Sequence, residues 1–198
     1  MNPPPSMAAE TIWNVPNLLT LSRLPLSALL FVCISLEAWF AALLIFIIAS
    51  ITDVLDGWYA RKYQQFTAFG RVFDPLIDKI MVGGAFIYLI PVPAAGLLPW
   101  MVTVVIGREL LITGVRGYVE SLGKKFGADW FGKLKMILQC VVLIAIFSIL
   151  WIKQFTWITP FAEYLDILQM GLIYLMLAAT IGSGVQYCLR AGKLLRGG

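Results

Sequence analysis

The 198-residue sequence is 60% hydrophobic and only 13% charged. A soluble domain of this length is about a quarter charged, so an ordinary water-soluble globule is excluded. Fifteen Lys and Arg against eleven Asp and Glu give +4, which in so apolar a chain speaks for membrane topology and anionic-lipid contact ahead of nucleic-acid binding. Histidine is absent, which removes His-based triads, imidazole bases and His-ligated metal sites.

Residues 1–13 (MNPPPSMAAETIW) have no basic start and no apolar core, so they read as a mobile tail and not a signal peptide. Residues 14–198 read as one membrane domain. Six apolar stretches follow, at 18–36, 39–59, 73–90, 98–119, 131–152 and 161–189. Only helices and closed barrels satisfy their backbone polar groups inside a bilayer. Runs of this length without two-residue alternation predict an all-α polytopic protein with six transmembrane helices. Alternating sides puts Arg61, Lys62, Arg71, Lys124, Lys125, Arg190, Lys193 and Arg196 on one face of the membrane and Lys153 on the other. The positive-inside rule makes the first face, and with it both termini, cytoplasmic. The Lys124–Lys125 pair reads as a solvated loop near anionic lipid.

Cys33, Cys140 and Cys188 are far apart in apolar sequence, which predicts three buried small hydrophobes and no disulfide or zinc site. Trp39, Trp100, Trp151 and Trp157 fall near the outer ends of the stretches, as interface anchors do.

Four of the eleven acidic residues crowd into residues 53–78. Asp53 and Asp56 are three apart, Asp74 and Asp78 four apart, so each pair shares a helix face. A short loop returning to the same membrane surface makes the two helices antiparallel neighbours and gathers the four carboxylates. So placed, they repel one another unless positive charge sits among them. Two readings are open: interfacial acids solvated or paired with Arg61 and Arg71, or a site for hard divalent cations, which choose carboxylate oxygens. Gly57, Ala60 and Gly70 beside the acids leave room for a bulky ligand, which favours a metal–phosphate site able to take a nucleotide.

Written out, residues 53–78 are DVLDGWYARKYQQFTAFGRVFDPLID. They match the D-x2-D-G-x2-A-R-x8-G-x3-D-x3-D signature of the CDP-alcohol phosphotransferase family at every fixed position: Asp53, Asp56, Gly57, Ala60, Arg61, Gly70, Asp74 and Asp78. Eight fixed residues make this far more specific than a lone glycine motif. NVPNLLTLSRLPL (14–26), GRELLITGVRGYVESLGKK (107–125) and FGKLK (131–135) further resemble the branch of the family that makes phosphatidylglycerophosphate. Met136 departs from it, standing where threonine is expected. The last two helices are similar only in general character.

The resemblance implies transfer of a phosphatidyl group from CDP-diacylglycerol to sn-glycerol 3-phosphate with release of CMP. It implies two Mg²⁺ or Mn²⁺ ions on Asp53, Asp56 and Asp74, with Asp78 as general base and further metal contact. Asp56, Gly57, Ala60, Arg61 and Gly70 would receive the donor nucleotide. Combined with the charge rules, it assigns Arg108, Arg116, Lys133 and Lys135 to the acceptor phosphate, against the simpler readings that Arg108 pairs with Glu109 and that Lys133 snorkels. Arg23 is open to donor phosphate or to lipid headgroups. The resemblance also implies a homodimer in the bilayer, with a cytoplasm-facing site in a bacterial plasma membrane. Alternatives are another acceptor (inositol phosphate, serine or phosphatidylglycerol) and, from a different class, a cation-coupled transporter, disfavoured by the lack of an internal repeat.

Overall fold

Long apolar runs punctuated by Pro, Gly and short polar segments fold as helices, because each run satisfies its own backbone hydrogen bonds. The computed structural model describes residues 15–63, 68–123, 130–155 and 160–196. These form six α-helices: α1 (Val15–Ser35), α2 (Trp39–Tyr63), α3 (Ala68–Leu89), α4 (Pro99–Ser121), α5 (Trp130–Ile152) and α6 (Ala162–Arg196), with a 3₁₀ turn at Pro93–Ala95. The tail at 1–13 lies outside the described residues. Each predicted stretch is a helix. α2 and α3 run further than expected into the polar segment between them, so Arg61, Lys62 and Gly70 belong to helices.

The helices pack as two triplets. α1 lies against both α2 and α3, and α6 lies against both α4 and α5. The α2–α5 contact joins the triplets, with smaller contacts of α3 on α4 and α5. Phe46 of α2 meets Phe147 of α5 edge to face, with ring centroids 6.0 Å apart, a favoured aromatic geometry at the join. Leu30, Ile34, Phe86, Met101 and Leu143 complete the same core.

Two turns fix how the helices enter and leave. Glu37 closes α1 in the left-handed region (φ 54°), and the Ala38 amide donates to the Cys33 carbonyl, the usual way to end a helix. Gly96 (φ 65°) closes the 3₁₀ turn, and Gln169 of α6 donates to the Ala94 carbonyl there. Through this bond α6 holds the α3–α4 connection.

Among the described residues, three helical segments are long and apolar enough to cross a membrane: Asn17–Ser35, Leu134–Ile152 and Ala162–Leu194. The apolar run of α2, Trp39–Leu55, is shorter. Charged side chains interrupt the other two, Asp74, Asp78 and Lys79 in α3 and Arg108, Glu109 and Arg116 in α4.

Two expectations are corrected. Trp39 is buried in the core and is no interface anchor, because α2 starts directly against α1 and its first side chain turns inward. Cys188 is exposed, on an outward face of α6 that also carries Val185 and Leu189. Cys33 and Cys140 are partly buried, and all three are free.

The α1–α3 seam depends on one glycine. A Cβ at Gly84 would come 2.3 Å from Cζ of Phe31, whose ring is stacked on Tyr88 with centroids 4.9 Å apart. The ring cannot swing away without losing that stack. Gly84→Ala is expected to destabilise the protein by about 1–3 kcal/mol through overpacking. Gly107→Ala, where nothing lies within 4 Å, is the control. Thermal unfolding in detergent should show a lower midpoint for the first variant alone, and equal midpoints would refute the close packing.

Candidate active site

A polar stripe on an apolar helix has to face something polar, since a buried polar group without a partner is costly. Asn17, Thr20, Arg23 and Ser27 recur at three- and four-residue spacing on α1, and all four are buried. Two of them, Thr20 and Arg23, reach carboxylates of α3 and α2. Arg23, with 0% of its surface exposed, forms an ion pair with Asp53. Thr20 donates its hydroxyl to Asp74 Oδ1 at 2.5 Å. Ser27 donates back to the Arg23 carbonyl at 2.7 Å, holding that turn of α1 in place. Of the two readings left open for Arg23, lipid-headgroup contact is excluded by burial.

Asp78 stands one helical turn beyond Asp74, which puts it deeper in the bundle. Among the described residues, the charged groups in electrostatic reach of it are Asp53 and Arg23 from the first triplet and Lys135 and Glu109 from the second. Both triplets thus bear on Asp78. Pro75, between the two aspartates, removes one main-chain donor from α3 without ending the helix.

The second triplet supplies the cations. Glu109 of α4 accepts hydrogen bonds from Lys135 of α5 and from Nη1 of its neighbour Arg108, the latter at 3.1 Å. Arg108 Nη2 donates to Ser183 Oγ of α6 at 3.0 Å. Arg116, two turns further along α4, donates to the Tyr187 hydroxyl of α6 at 3.3 Å. One carboxylate thus serves two cations, and α6 supplies a polar partner to each arginine. The pairing of Arg108 with Glu109 weighed from the sequence is present, and Lys135 joins it.

A cavity of about 380 Å³ opens between α3 and α4 beside these groups. Asp78, Glu109, Lys135 and Gln139 mark its polar side, and Val82, Ile87 and Ile106 are among its apolar walls. An apolar space ending on charged groups suits a ligand with a greasy body and a polar head.

Of the residues expected to form a site, the fold gathers Asp53, Asp74 and Asp78 with α1, and links Arg108, Lys135 and Arg116 through Glu109 and α6. Asp56, Gly57, Ala60 and Arg61 lie in α2, Gly70 in α3 and Lys133 in α5, but their side chains fall outside the described residues. Sequence reasoning passed over Asn17, Thr20 and Ser27, although their three- and four-residue spacing in an apolar helix was a readable signal. It also passed over Ser183 and Tyr187, for which an isolated hydroxyl in a long apolar helix gives no comparable pattern.

Among the described residues, no three Asp, Glu or Cys side chains converge closely enough to hold a metal ion. Asp56, the fourth carboxylate of the set, is not among them. The donors that are present suit hard divalent cations, being carboxylate and hydroxyl oxygens without thiolate or imidazole. The Asp53 side chain stays 34% exposed beside Arg23, so the ion pair does not seal it off.

Carboxylates on one triplet and cations on the other, in an all-helical apolar chain, suit the class of helical phosphotransferases. Within that class the chain belongs to the CDP-alcohol phosphatidyltransferase family, whose model matches residues 13–183. It is 32% identical over 189 residues to the Haemophilus influenzae CDP-diacylglycerol–glycerol-3-phosphate 3-phosphatidyltransferase, covering 92% of this chain and 96% of that protein. The Escherichia coli enzyme of the same name is 33% identical over 184 residues, 88% of this chain and 93% of that one. The Bacillus subtilis enzyme is 36% identical over 150 residues, 68% and 77% of the two chains.

The Arg23–Asp53 pair is testable without substrate. Removing one partner of a buried pair strands the other's charge, whereas removing both does not. In metal-free buffer Arg23→Met is expected to lower the unfolding midpoint more than the Arg23→Met/Asp53→Asn double variant does. A double variant at least as unstable as the sum of the singles would show that the two residues are not coupled.

Proposed function

We propose that the protein transfers the phosphatidyl group of CDP-diacylglycerol to the 1-hydroxyl of sn-glycerol 3-phosphate, releasing CMP and giving phosphatidylglycerophosphate. The observation that carries this reading is that Asp78, the last aspartate of the eight-residue signature, lines the same cavity as Glu109 and Lys135 and lies within electrostatic reach of Arg23 and Asp53. The names of the relatives supply the donor and the acceptor.

The reaction needs charge neutralisation and positioning more than covalent catalysis. Asp53, Asp56 and Asp74, with Asp78 in reach, would hold two divalent ions, Mg²⁺ or Mn²⁺, which would supply positive charge for the donor diphosphate and the departing CMP. Gly57, Ala60 and Gly70 leave space for the cytidine, and Arg61 holds donor phosphate. Arg108, Arg116, Lys133 and Lys135 hold the acceptor's phosphate, which aims its free hydroxyl at Asp78. Asp78 takes the hydroxyl proton as the oxygen forms its bond to the phosphorus that carries diacylglycerol. The opposite P–O bond breaks and CMP leaves with the electron pair. With histidine absent, a carboxylate is the natural base.

The same reading sets the protein in its membrane. Six spans, with residues 14–198 as one domain and both termini on the cytoplasmic side, place the aspartates where the bilayer meets the cytoplasm of a bacterial plasma membrane. Two copies assemble as a homodimer. The length and apolarity of α1, α5 and α6 and the one-sided basic residues support this topology.

Asp78→Asn keeps the shape and removes the base, so it is expected to lower kcat by about 10²–10⁴-fold. Unchanged CMP release from CDP-diacylglycerol plus glycerol 3-phosphate would overturn the assignment. With the wild-type protein, glycerol 3-phosphate should outperform serine, inositol phosphate and phosphatidylglycerol, and a different winner would transfer the chemistry to that acceptor. Chelation with EDTA should stop CMP release and added Mg²⁺ or Mn²⁺ should restore it. Activity that survives chelation would remove the metal from the reaction.

A further inference from the structure

Two arginines on one helix can grip one small dianion only if their guanidinium groups are held at a fixed spacing. Arginine side chains are long and carry about 2 kcal/mol of rotamer entropy each, so something has to restrain them. On α4, Arg108 and Arg116 are eight residues apart, and among the described side chains of α4 none is in contact with both. The bridge comes from α6. Tyr187 is 3% exposed, and its ring lies between the two, with its centroid 5.6 Å from Arg108 Cζ and 6.0 Å from Arg116 Cζ. Its hydroxyl accepts from Arg116 Nη2 at 3.3 Å. One turn earlier, Ser183 Oγ accepts from Arg108 Nη2, while Ser183 donates to the Thr180 carbonyl.

The neighbourhood is shaped around this contact. A Cβ at Gly184 would come 3.2 Å from Arg108 Cγ, so the α6 backbone lies close along the arginine stem. A Cβ at Gly132 of α5 would come 3.2 Å from the Tyr187 hydroxyl, so α5 presents its smallest residue to the tyrosine tip. Ile112, Val119 and Ala191 pack around the ring and fix its plane. Among the described residues, one donor of each guanidinium group is nevertheless left over. The Nε atoms of Arg108 and Arg116 are both buried without a hydrogen-bond partner. A buried donor without an acceptor is costly to maintain, and two of them flanking one ring call for an anion.

The geometry points to Tyr187 as the positioning residue for acceptor recognition. It holds Arg108 and Arg116 at the spacing that takes a phosphate monoester dianion and reaches that dianion only through them. This rests on the proposed function, in which the two arginines bind the acceptor phosphate. It makes α6, the helix with the least distinctive sequence, the specificity element for a phosphorylated alcohol over an uncharged one.

The experiment uses the full chain in detergent with Mg²⁺, varying glycerol 3-phosphate at saturating CDP-diacylglycerol. Tyr187→Phe keeps the ring and loses the bond to Arg116, and is expected to raise KM for glycerol 3-phosphate about 3–10-fold. Tyr187→Leu loses the aromatic face as well and should raise it about 30-fold or more. In both variants kcat and the KM for CDP-diacylglycerol should stay within about twofold of wild type. A merely structural tyrosine would move all three constants together, and that outcome, or an unchanged acceptor KM in Tyr187→Leu, overturns the proposal. Binding is read independently with inorganic phosphate, which should raise the wild-type unfolding midpoint and inhibit against glycerol 3-phosphate. Tyr187→Leu should lose the thermal shift while Tyr187→Phe keeps part of it. Equal shifts in wild type and Tyr187→Leu, or none in wild type, overturn the role of Tyr187. Failure of the wild-type protein to use glycerol 3-phosphate, with the phosphate shifts as expected, overturns the proposed acceptor and leaves the tyrosine's role supported.

Discussion

An ionised side chain inside an apolar bundle has to meet its opposite before the chain can close around it. The cost of taking a charge out of water is several kcal/mol even after the surroundings relax. Among the described residues, the two charged ones buried outright, Arg23 and Lys135, answer to that constraint, and so does Arg108. Arg23 reaches Asp53, Lys135 reaches Glu109, and Arg108 divides its donors between Glu109 and Ser183. The order in which the helices pack follows from it. α1 has to lie against both α2 and α3, because its polar stripe has partners on each. α6 has to lie against α4, because Ser183 and Tyr187 are the neutral acceptors that the arginines lack on their own helix.

The consequence is a site divided between two separately packed halves. The carboxylates belong to α2 and α3 and are held by α1. The cations belong to α4 and α5 and are held by α6. Asp78 and Lys135 lie near the line where the halves join, within electrostatic reach of each other. A group there feels both halves, so a small change in how α2 meets α5 alters the spacing between donor and acceptor chemistry. The aromatic contact of Phe46 on Phe147 at that join is therefore part of the site's geometry as much as of the core.

What could be read from the sequence followed the strength of each local signal. Helix positions were legible because long apolar runs with clear breakers leave one solution, and the main error was to end α2 and start α3 too far from each other. There the polar residues Arg61 and Lys62 looked like loop, yet helix continues through them. The aspartates were legible because acids are rare in such a chain and their spacing is helical. Arg23 was visible as an interior cation, but its partner was not, since Asp53 is thirty residues away and only the packing of α1 on α2 joins them. Tyr187 carried no signal at all. Its role depends on two arginines more than seventy residues earlier, and nothing in the local pattern of α6 separates it from a lipid-facing tyrosine such as Tyr174.

Counting charges shows why the two halves have to work together. Among the described residues, Asp53, Asp74 and Asp78 outnumber Arg23 and Lys79 around the first half, and Arg108, Arg116 and Lys135 outnumber Glu109 in the second. In an apolar surrounding such a separation acts over the whole width of the site, because little water screens it. On the proposed function, a phosphorylated acceptor would be drawn to the second half and kept from the first. The donor's diphosphate would meet like charge on the first half, which bound divalent cations would reverse. Metal binding and donor binding would then be linked, while acceptor binding would depend on cations that Glu109 and α6 already hold in place.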